Sequence, residues 1–176
     1  MNEIEVKILE VDRKETEKTL TRLLAKKVFD GDIETLFFDY PDGRISKERN
    51  VLRLRQQDNK VELTYKTVKV TQKAKQAKEC SVEISDLASM KQILENLGLR
   101  NTESMNKHRV SYTLNDTRFD FDKYSGKYDF IPEFLEIEAK TADTTQRYAE
   151  LLGFRDKACL TWSTAELIQY YRNKKN

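Results

Sequence analysis

The chain has 176 residues, among them 32 Lys and Arg, 30 Asp and Glu and a single His, so both signs of charge are abundant while the formal net charge is only +2. This length fits one domain spanning residues 1–176 with its own hydrophobic core. Eight Phe, eight Tyr and 38% hydrophobic residues argue against compositional disorder, and the balanced charge argues against a nucleic-acid binder, which usually has a basic excess.

At the start of the chain, the spacing of the apolar residues predicts a strand, a helix and a second strand. Residues 3–8 alternate charged and apolar side chains, which predicts a strand with one face of each kind. Apolar residues take helical spacing over 12–27, with Asp12 placed to cap the first turn. An aromatic run at 35–40 predicts a strand that ends at the Pro-Asp-Gly turn of residues 41–43.

The rest of the chain continues this mixture of strands and helices. Residues 51–55 and 61–66 alternate around Asp58-Asn59, which predicts a hairpin. Residues 66–78 are rich in Thr, Gln and Lys without apolar periodicity, and they predict a mobile basic loop. The remaining predicted elements are strands at 79–84, 107–114, 118–122 and 134–139 and helices at 86–97, 141–152 and 163–172.

Each predicted strand has one apolar face and one face that is almost purely ionic. A polar face in water is the ordinary explanation of such alternation, but Glu-x-Glu recurs and so do Arg-x-Arg or Lys-x-Arg. Like charges two residues apart repel, so opposite charges should compensate them. The charged sets are Glu3/Glu5/Lys7, Arg53/Arg55, Glu62/Thr64/Lys66, Glu79/Ser81/Glu83, Lys107/Arg109, Arg118/Asp120/Asp122 and Glu136/Glu138/Lys140.

These residue types favour one kind of ligand. Paired carboxylates supply the hard oxygen ligands that Mg²⁺ or Mn²⁺ prefers. Arg pairs supply forked donors that match phosphate oxygens. A strongly curved or closed sheet with both sets inside would bind a metal-complexed polyphosphate. The single His, His108, falls on the apolar side of its strand and is predicted to be a packed structural residue rather than a catalytic base.

Cysteine usage and hydropathy predict where the protein works. Cys80 and Cys159 are far apart and form no Cys-x-x-Cys pair, so neither a disulfide scaffold nor a zinc ribbon is expected. No apolar run approaches the roughly 18 residues that span a bilayer. The expectation is a soluble cytoplasmic protein that binds neither a membrane nor nucleic acid.

The motifs resemble a known family. Residues 3–7 form the Glu-x-Glu-x-Lys signature of the CYTH superfamily, or triphosphate tunnel metalloenzymes, which includes class IV adenylyl cyclases, thiamine triphosphatases and inorganic triphosphatases. Companion motifs follow in family order along essentially the whole chain. They are Phe37-Phe38-Asp39-Tyr40-Pro41, Leu52-Arg53-Leu54-Arg55, Leu63-Thr64-Tyr65-Lys66, Lys107-His108-Arg109, Asp122 ahead of Ile131-Pro132-Glu133-Phe134-Leu135-Glu136-Ile137-Glu138, and Leu152-Gly153-Phe154.

The resemblance implies an α+β fold in which an eight-stranded antiparallel β-barrel encloses a charged tunnel, with amphipathic helices packed outside. By the family pattern the ligands of a divalent metal, Mg²⁺ or Mn²⁺, would be Glu3, Glu5, Asp122, Glu136 and Glu138. The triphosphate would be bound by Lys7, Arg53, Arg55, Lys66, Lys107 and Arg109, of which Lys7, Arg53 and Arg55 would be catalytic. By strand parity alone, further residues of the tunnel are Glu62, Glu83, Arg118 and Asp120.

The chain departs from the family at one motif. Many members have Tyr-x-Asp-Thr-Pro where this sequence has Phe37-Phe38-Asp39-Tyr40-Pro41. If a Tyr there helps to deprotonate water through the signature Lys, that hydroxyl is missing unless Tyr40 replaces it. The hydrolytic route is therefore less well supported by the motifs than the binding site.

Three functions remain open from the sequence. The leading one is a metal-dependent triphosphatase acting on tripolyphosphate, ATP or thiamine triphosphate, and the first alternative is a class IV adenylyl cyclase that releases pyrophosphate from ATP. A further alternative is a non-catalytic module that binds polyphosphate or nucleotides. Homodimerisation is a reasonable expectation for a compact protein of this kind.

Overall fold

The computed structural model describes residues 4–70, 75–155 and 158–175, with the backbone alone at 68–70, 75–77 and 175. Within these residues eight β-strands and five α-helices follow one another. Their bounds are β1 (Ile4–Leu9), α1 (Arg13–Arg22), β2 (Lys26–Asp39), α2 (Arg44–Lys47), β3 (Val51–Gln57), β4 (Lys60–Val70), β5 (Lys75–Ile84), α3 (Leu87–Asn96), β6 (Arg100–Leu114), β7 (Thr117–Tyr124), β8 (Phe134–Ala139), α4 (Ala142–Leu151) and α5 (Thr164–Lys175). No helix in this described part of the chain is both long and apolar enough to cross a bilayer.

The eight strands belong to one sheet with the order β1-β8-β7-β6-β2-β3-β4-β5. Paired strands run antiparallel, as in β1 with β8 and β3 with β4. The predicted α+β class and the eight antiparallel strands are therefore confirmed. The order ends at β1 and β5, and among the described residues no hydrogen-bonded register joins these two strands. Closure of the sheet into a tunnel thus stays a prediction.

The chain divides into two compact units. The terminal unit combines an early and a late part of the chain, of which residues 4–31, 107–155 and 158–175 are described. Its core lies between the apolar faces of β1, β6, β7 and β8 and helices α1 and α4, and completely buried members include Phe119, Phe121 and Ile137. Helical spacing brings Leu20 of α1 and Ala149 of α4 onto the same cluster, where both are fully buried. The other faces of these strands carry the charged residues.

The central unit comprises residues 32–106. Its core combines Leu36 and Phe38 of β2 and Leu54 of β3 with residues of α2 and α3. Helix α3 begins after Asp86, whose carboxylate accepts a hydrogen bond from the Ser89 N–H at 2.6 Å. Here too the apolar strand faces pack under helices and leave the charged faces on the other side, as the alternation predicts.

The helix predicted over 12–27 ends earlier than expected. Helix α1 stops at Arg22, and β2 begins at Lys26 and continues to Asp39, so the prediction was wrong for residues 23–27. Leu24 adopts a φ of 64°, and the Ala25 N–H donates to the Leu20 carbonyl at 2.9 Å, which closes the helix. The usual glycine signal for such an ending is missing from the sequence, because a leucine takes the left-handed position.

The mobile basic loop predicted at 66–78 is largely a β-hairpin. Strand β4 runs to Val70 and β5 starts at Lys75, with Val70 and Lys75 paired in register. Residues 71–74 lie outside the described residues. The prediction was wrong because it relied on apolar periodicity, whereas here backbone pairing with the neighbouring strand extends the sheet beyond its apolar part.

Candidate functional site

Charged side chains from four neighbouring strands share one face of the terminal unit. Side chains two residues apart point to the same side of a strand, so the register places these residues next to one another. The opposed pairs are Glu5 and Glu138, Lys7 and Glu136, Glu138 and Arg118, Glu136 and Asp120, and Asp122 and Arg109. Most of this face is buried, since Lys7, Asp120, Asp122 and Arg109 are each at most 6% exposed.

Lys7 of the signature lies between two glutamates. Its Nζ contacts the Glu5 carboxylate and is 2.9 Å from Oε1 of Glu136. Burial would lower the pKa of Lys7, but Glu136 and Glu5 together raise it above its ordinary value. Burial raises the pKa of Glu5, and the charge of Glu136 raises it further. Burial would also raise the pKa of Glu136, but Lys7 and neighbouring cations hold it well below its usual range. Glu136 is therefore the more stable anion of the two.

Arg109 of β6 binds three carboxylates. Its Nε and Nη2 donate to both oxygens of Asp122, the former at 2.6 Å, and its Nη1 and Nη2 reach Asp120 at 2.5 Å and Glu136 at 2.7 Å. Lys107 Nζ also donates to Asp122 Oδ2 at 2.5 Å. Asp122 is fully buried and has both oxygens occupied by cations. Such charge-assisted bonds fix the positions of Lys107 and Arg109 on the face.

Asp120 and Arg118 extend the network toward Glu138. Asp120 Oδ2 accepts from Arg118 Nε at 3.0 Å as well as from Arg109, and Arg118 Nη2 donates to Glu138 Oε2 at 2.5 Å. Burial would lower the pKa of Arg118, whereas Asp120 and Glu138 raise it. Strand parity had placed Arg118 and Asp120 on this face, and their contacts show that both belong to the charged network.

The central unit has a second charged face on β3, β4 and β5. Register sets Arg53 opposite Thr64 and Lys66 opposite Glu79. Lys66 Nζ is 2.8 Å from Glu79 Oε1, and Arg53 Nη2 is 3.7 Å from Oε2 of the same carboxylate. Burial would raise the pKa of Glu79, but Lys66 and then Arg53 lower it overall. Arg55 lies on the same face, opposite Glu62.

The Arg53 side chain on this second face has a buried donor without a hydrogen-bond partner in the described part of the chain. The Arg53 side chain is only 18% exposed, and its Nε is buried without a hydrogen bond among the described residues. An unsatisfied buried N–H is costly, and a forked guanidinium is suited to phosphate oxygens. Nearby, the buried Thr64 hydroxyl contacts Glu62 Oε1 at 2.9 Å and Ser81 Oγ at 3.0 Å. This face therefore offers a site for an anion.

The Phe-Phe-Asp-Tyr-Pro motif starts on β2 and continues past the end of that strand at Asp39. Phe37 is opposite Arg53 in register and so lies on the charged side. Tyr40 packs against the apolar cluster of the central unit, and the Arg44 guanidinium lies 4.3 Å from the centre of its ring. Within the central unit, the ring of Tyr40 thus lies on the apolar side and Phe37 on the charged side.

Asp39 of the same motif shapes the turn after β2. It is 4% exposed and accepts hydrogen bonds from the backbone N–H groups of Tyr40 at 2.7 Å, Ile45 at 3.0 Å and Ser46 at 2.9 Å. Burial would raise the pKa of Asp39, but these hydrogen bonds lower it overall. The aspartate of the motif is thus a structural residue that holds the start of α2.

His108 does not take part in the charged network described above. The prediction that it packs in the core was wrong, because its side chain is 45% exposed and its Nε2 lies 3.0 Å from Asp30 Oδ1. Asp30 lies on β2, in a stretch for which the sequence pattern predicts no element. His108 faces away from Lys107 and Arg109, as its strand parity predicts.

The predicted site residues fall into two groups. The terminal unit brings together Glu5, Lys7, Lys107, Arg109, Asp122, Glu136 and Glu138, and the central unit contains Arg53, Arg55 and Lys66. Glu3 lies outside the described residues. The motifs assign Glu79 no role in the site. Its position opposite Lys66 in the register of β4 and β5 is the feature that places it there.

The carboxylates of the terminal unit are suitable metal ligands by their chemistry, but their side chains do not converge on one point among the described residues. Across the described ranges, no three His, Cys, Asp or Glu side chains converge as a metal-binding group. The carboxylates described above contact Lys or Arg instead, and Asp120 keeps one buried oxygen without a partner. Hard oxygen ligands on adjacent strands suit Mg²⁺ or Mn²⁺, so the donor set fits such an ion provided that the carboxylates exchange partners.

Known proteins share this sequence pattern and fold. A protein of Methanocaldococcus jannaschii named "Putative adenylate cyclase" is 29% identical over 150 residues, which cover 84% of this chain and 82% of that one. A Pyrococcus horikoshii protein of known structure superposes with a TM-score of 0.75 at 23% identity, covering 94% of this chain and 98% of that one. HpAC1 from Hippeastrum, described as an adenylyl cyclase candidate with dominant triphosphatase activity, has a TM-score of 0.64 at 16% identity, covering 97% and 96% of the two chains. The model of the CYTH domain matches residues 1–153, and the chain therefore belongs to the CYTH domain family.

Proposed function

We propose that the protein is a divalent-metal-dependent triphosphatase that transfers the terminal phosphoryl group of a triphosphate to water. The observation that carries this proposal is the charged network on one face of the terminal unit. Buried charges are expensive and do little for stability compared with apolar packing, so their concentration on one face favours a binding function. The network combines the cations Lys7, Lys107, Arg109 and Arg118 with the carboxylates Glu5, Asp120, Asp122, Glu136 and Glu138.

The carboxylates would hold the metal. Glu5, Glu136 and Glu138 are close in register on β1 and β8, and an aspartate of β7 would complete the set. The family resemblance implies Asp122 for that aspartate and adds Glu3, which lies outside the described residues. When bound, Mg²⁺ or Mn²⁺ would polarise phosphate oxygens and offset their charge.

The cations would bind the triphosphate. Lys7, Lys107 and Arg109 are held by carboxylates in the structure, and they become available to phosphate oxygens when those carboxylates take up a cation. Arg53, Arg55 and Lys66 on the face of the central unit offer forked and point-charge donors of the same kind. Phosphoryl transfer needs this positioning and charge stabilisation more than covalent help from side chains.

The relatives support both enzymatic readings. CYTH proteins act on triphosphates with a metal ion, and HpAC1 is described by its triphosphatase activity. The M. jannaschii relative is named for the cyclase reaction, so cyclisation of ATP by its ribose hydroxyl is the second candidate. Phe37 stands where many family members have a Tyr, and Tyr40 packs on the apolar side. Activation of water by a tyrosine hydroxyl at that position is therefore not available to this protein.

Product analysis separates these functions. Purified protein is incubated with tripolyphosphate, ATP or thiamine triphosphate and with Mg²⁺, Mn²⁺ or EDTA, and the products are resolved. A triphosphatase gives orthophosphate and the diphosphate, only with metal. Cyclic AMP with pyrophosphate would establish the cyclase instead. Tight binding of every triphosphate without turnover under any metal would support a non-catalytic module.

The control is Arg44→Ala, an exposed arginine of the central unit whose guanidinium contacts Asp42 and the ring of Tyr40 and does not touch Arg53, Arg55 or Lys66. It is expected to retain the activity of the wild type. Arg53→Ala is expected to lose most of its affinity for the triphosphate. Equal activity in the two variants would contradict the role given to the charged face of the central unit.

A further inference from the structure

Glu79 places a carboxylate among the cations of the central unit. Its Oε1 is 2.8 Å from Lys66 Nζ, and its Oε2 is 3.7 Å from Arg53 Nη2. The two oxygens of this carboxylate thus face one cation each, which is how two oxygens of a phosphate group would be held. Since the proposed function assigns Lys66 and Arg53 to the triphosphate, Glu79 and the substrate share the same donors.

The contacts of Glu79 are those of a carboxylate that can move away. Only the contact with Lys66 is within hydrogen-bonding distance, and Nε of Arg53 is buried without a hydrogen bond among the described residues. The side chains of Lys66 and Glu79 are 33% and 37% exposed, so water can solvate both when they separate. Asp122 of the terminal unit, by contrast, is fully buried and accepts hydrogen bonds from cations at both oxygens. Glu79 is therefore held much less firmly than Asp122.

The charge of Glu79 and its place in the sheet make it a competitor for anions. It lies on β5, the last strand in the order of the sheet, directly opposite Lys66 of β4. Burial would raise the pKa of Glu79, but Lys66 and then Arg53 lower it overall, which keeps the carboxylate ionised at neutral pH. An anion that approaches the same two cations is repelled by this charge unless the carboxylate moves away.

We propose that Glu79 competes with phosphate for Lys66 and Arg53, and that it thereby weakens the binding of orthophosphate, a product of the reaction. This inference rests on the proposed function. When a triphosphate binds, its oxygens replace the carboxylate at these two cations, and when the phosphate product leaves, the carboxylate returns to them. The cost of displacing Glu79 is the same for both ligands, but a triphosphate has more oxygens with which to offset it. Glu79 therefore favours release of the product.

Binding of inorganic orthophosphate tests the proposal. Its affinity is measured by calorimetry in the presence of Mg²⁺, and orthophosphate is also tested as a competitive inhibitor of tripolyphosphate hydrolysis. Glu79→Gln keeps the size of the side chain and removes its charge, so it is expected to bind orthophosphate about fivefold to tenfold more tightly than the wild type, because the two cations are no longer occupied. Glu79→Asp keeps the charge on a shorter side chain and should fall between the two.

Glu83→Gln is the matched control. It removes the same charge from the same face of β5, but the register partner of Glu83 is Glu62 and not a cation. Its affinity for orthophosphate is expected to stay within about twofold of the wild type, because salt screens the charges of exposed side chains. The comparison therefore separates competition for Lys66 and Arg53 from a general effect of net charge.

Three results would overturn the inference. Weaker binding of orthophosphate by Glu79→Gln would show that Glu79 holds Lys66 and Arg53 in place for the phosphate. Unchanged affinity, or an equal gain in Glu79→Gln and Glu83→Gln, would also exclude competition at these two cations. Circular dichroism verifies the fold of each variant, and Glu79→Ala provides the same comparison if Glu79→Gln does not fold. If the wild type neither binds nor hydrolyses tripolyphosphate, the proposed function itself fails, whereas a wild type that binds it beside a variant without any gain refutes the competition alone.

Discussion

Replacing Glu136 and Glu5 by Gln should have opposite effects on the metal-free protein. The two carboxylates share Lys7, but only Glu136 also binds Arg109, at 2.7 Å. The Glu136 side chain is 14% exposed, whereas that of Glu5 is 40% exposed. Glu136→Gln therefore removes a buried anion that Lys7 and Arg109 compensate, while Glu5→Gln removes a more exposed anion that Glu136 repels and whose pKa is raised.

The size of the effect follows from the contacts. Removing one partner of a buried ion pair costs about 3–5 kcal/mol. Gln keeps one acceptor oxygen and the repulsion between Glu136 and Glu5 disappears, so we expect Glu136→Gln to lose about 2–4 kcal/mol of the free energy of unfolding. For a chain of this length each kcal/mol lowers the melting temperature by about 2–4 °C. Glu5→Gln should melt at or slightly above the wild-type temperature.

The pH dependence distinguishes the two variants further. The pKa of Glu136 is held well below its usual range in the folded protein, so its stabilisation is present above the unfolded value of about 4.3 and is lost as the pH falls below it. The deficit of Glu136→Gln should shrink below about pH 4. The pKa of Glu5 is raised, so its ionised form costs stability at neutral pH, and any gain from Glu5→Gln should vanish as Glu5 becomes protonated.

Urea unfolding followed by circular dichroism, in EDTA and without phosphate at pH 7 and at about pH 3, measures these differences. Equal loss of stability in both variants at pH 7 would refute the distinction between the two glutamates. A deficit of Glu136→Gln that grows as the pH falls would show that the carboxylate is not held in its charged form by Lys7 and Arg109.

Three further predictions concern the central unit and helix α4. Arg53→Ala should lower the affinity for tripolyphosphate by about tenfold or more, measured by calorimetry, with Arg53→Lys intermediate; unchanged affinity would exclude Arg53 from the site. Asp39→Ala should lower the free energy of unfolding by about 2–4 kcal/mol, because it leaves three backbone N–H groups without their acceptor, and a loss below about 1 kcal/mol would mean that water replaces the carboxylate. Gly153→Ala should cost about 1 kcal/mol in the same assay, because Gly153 has a φ of 89° at the end of α4 while no atom crowds a Cβ there; no loss would contradict a purely conformational role.

Much of this fold is predictable from the sequence because the alternation of charged and apolar residues is a local property. The period of two in β1, β7 and β8 separates charged from apolar faces wherever the strand is placed, and the strand predicted at 134–139 has the bounds of β8. Family motifs then added roles that charge alone does not assign, such as those of Lys7 and Arg53. Predictions from local sequence were wrong at two places. Helix α1 ends just before a leucine, Leu24, with a positive φ, and β4 and β5 extend through backbone pairing with each other beyond their apolar residues.

The sequence by itself determined which residues are charged, which strand face each occupies and which family the motifs resemble. Only the tertiary structure decided how those charges are paired, because cross-strand register depends on partners that are remote in the chain. Asp120 and Asp122 have the same parity on one strand, yet one faces Glu136 and the other Phe134 across β8. The near-zero net charge of the chain conceals this difference, since a sum of charges contains no information about which carboxylate each cation neutralises.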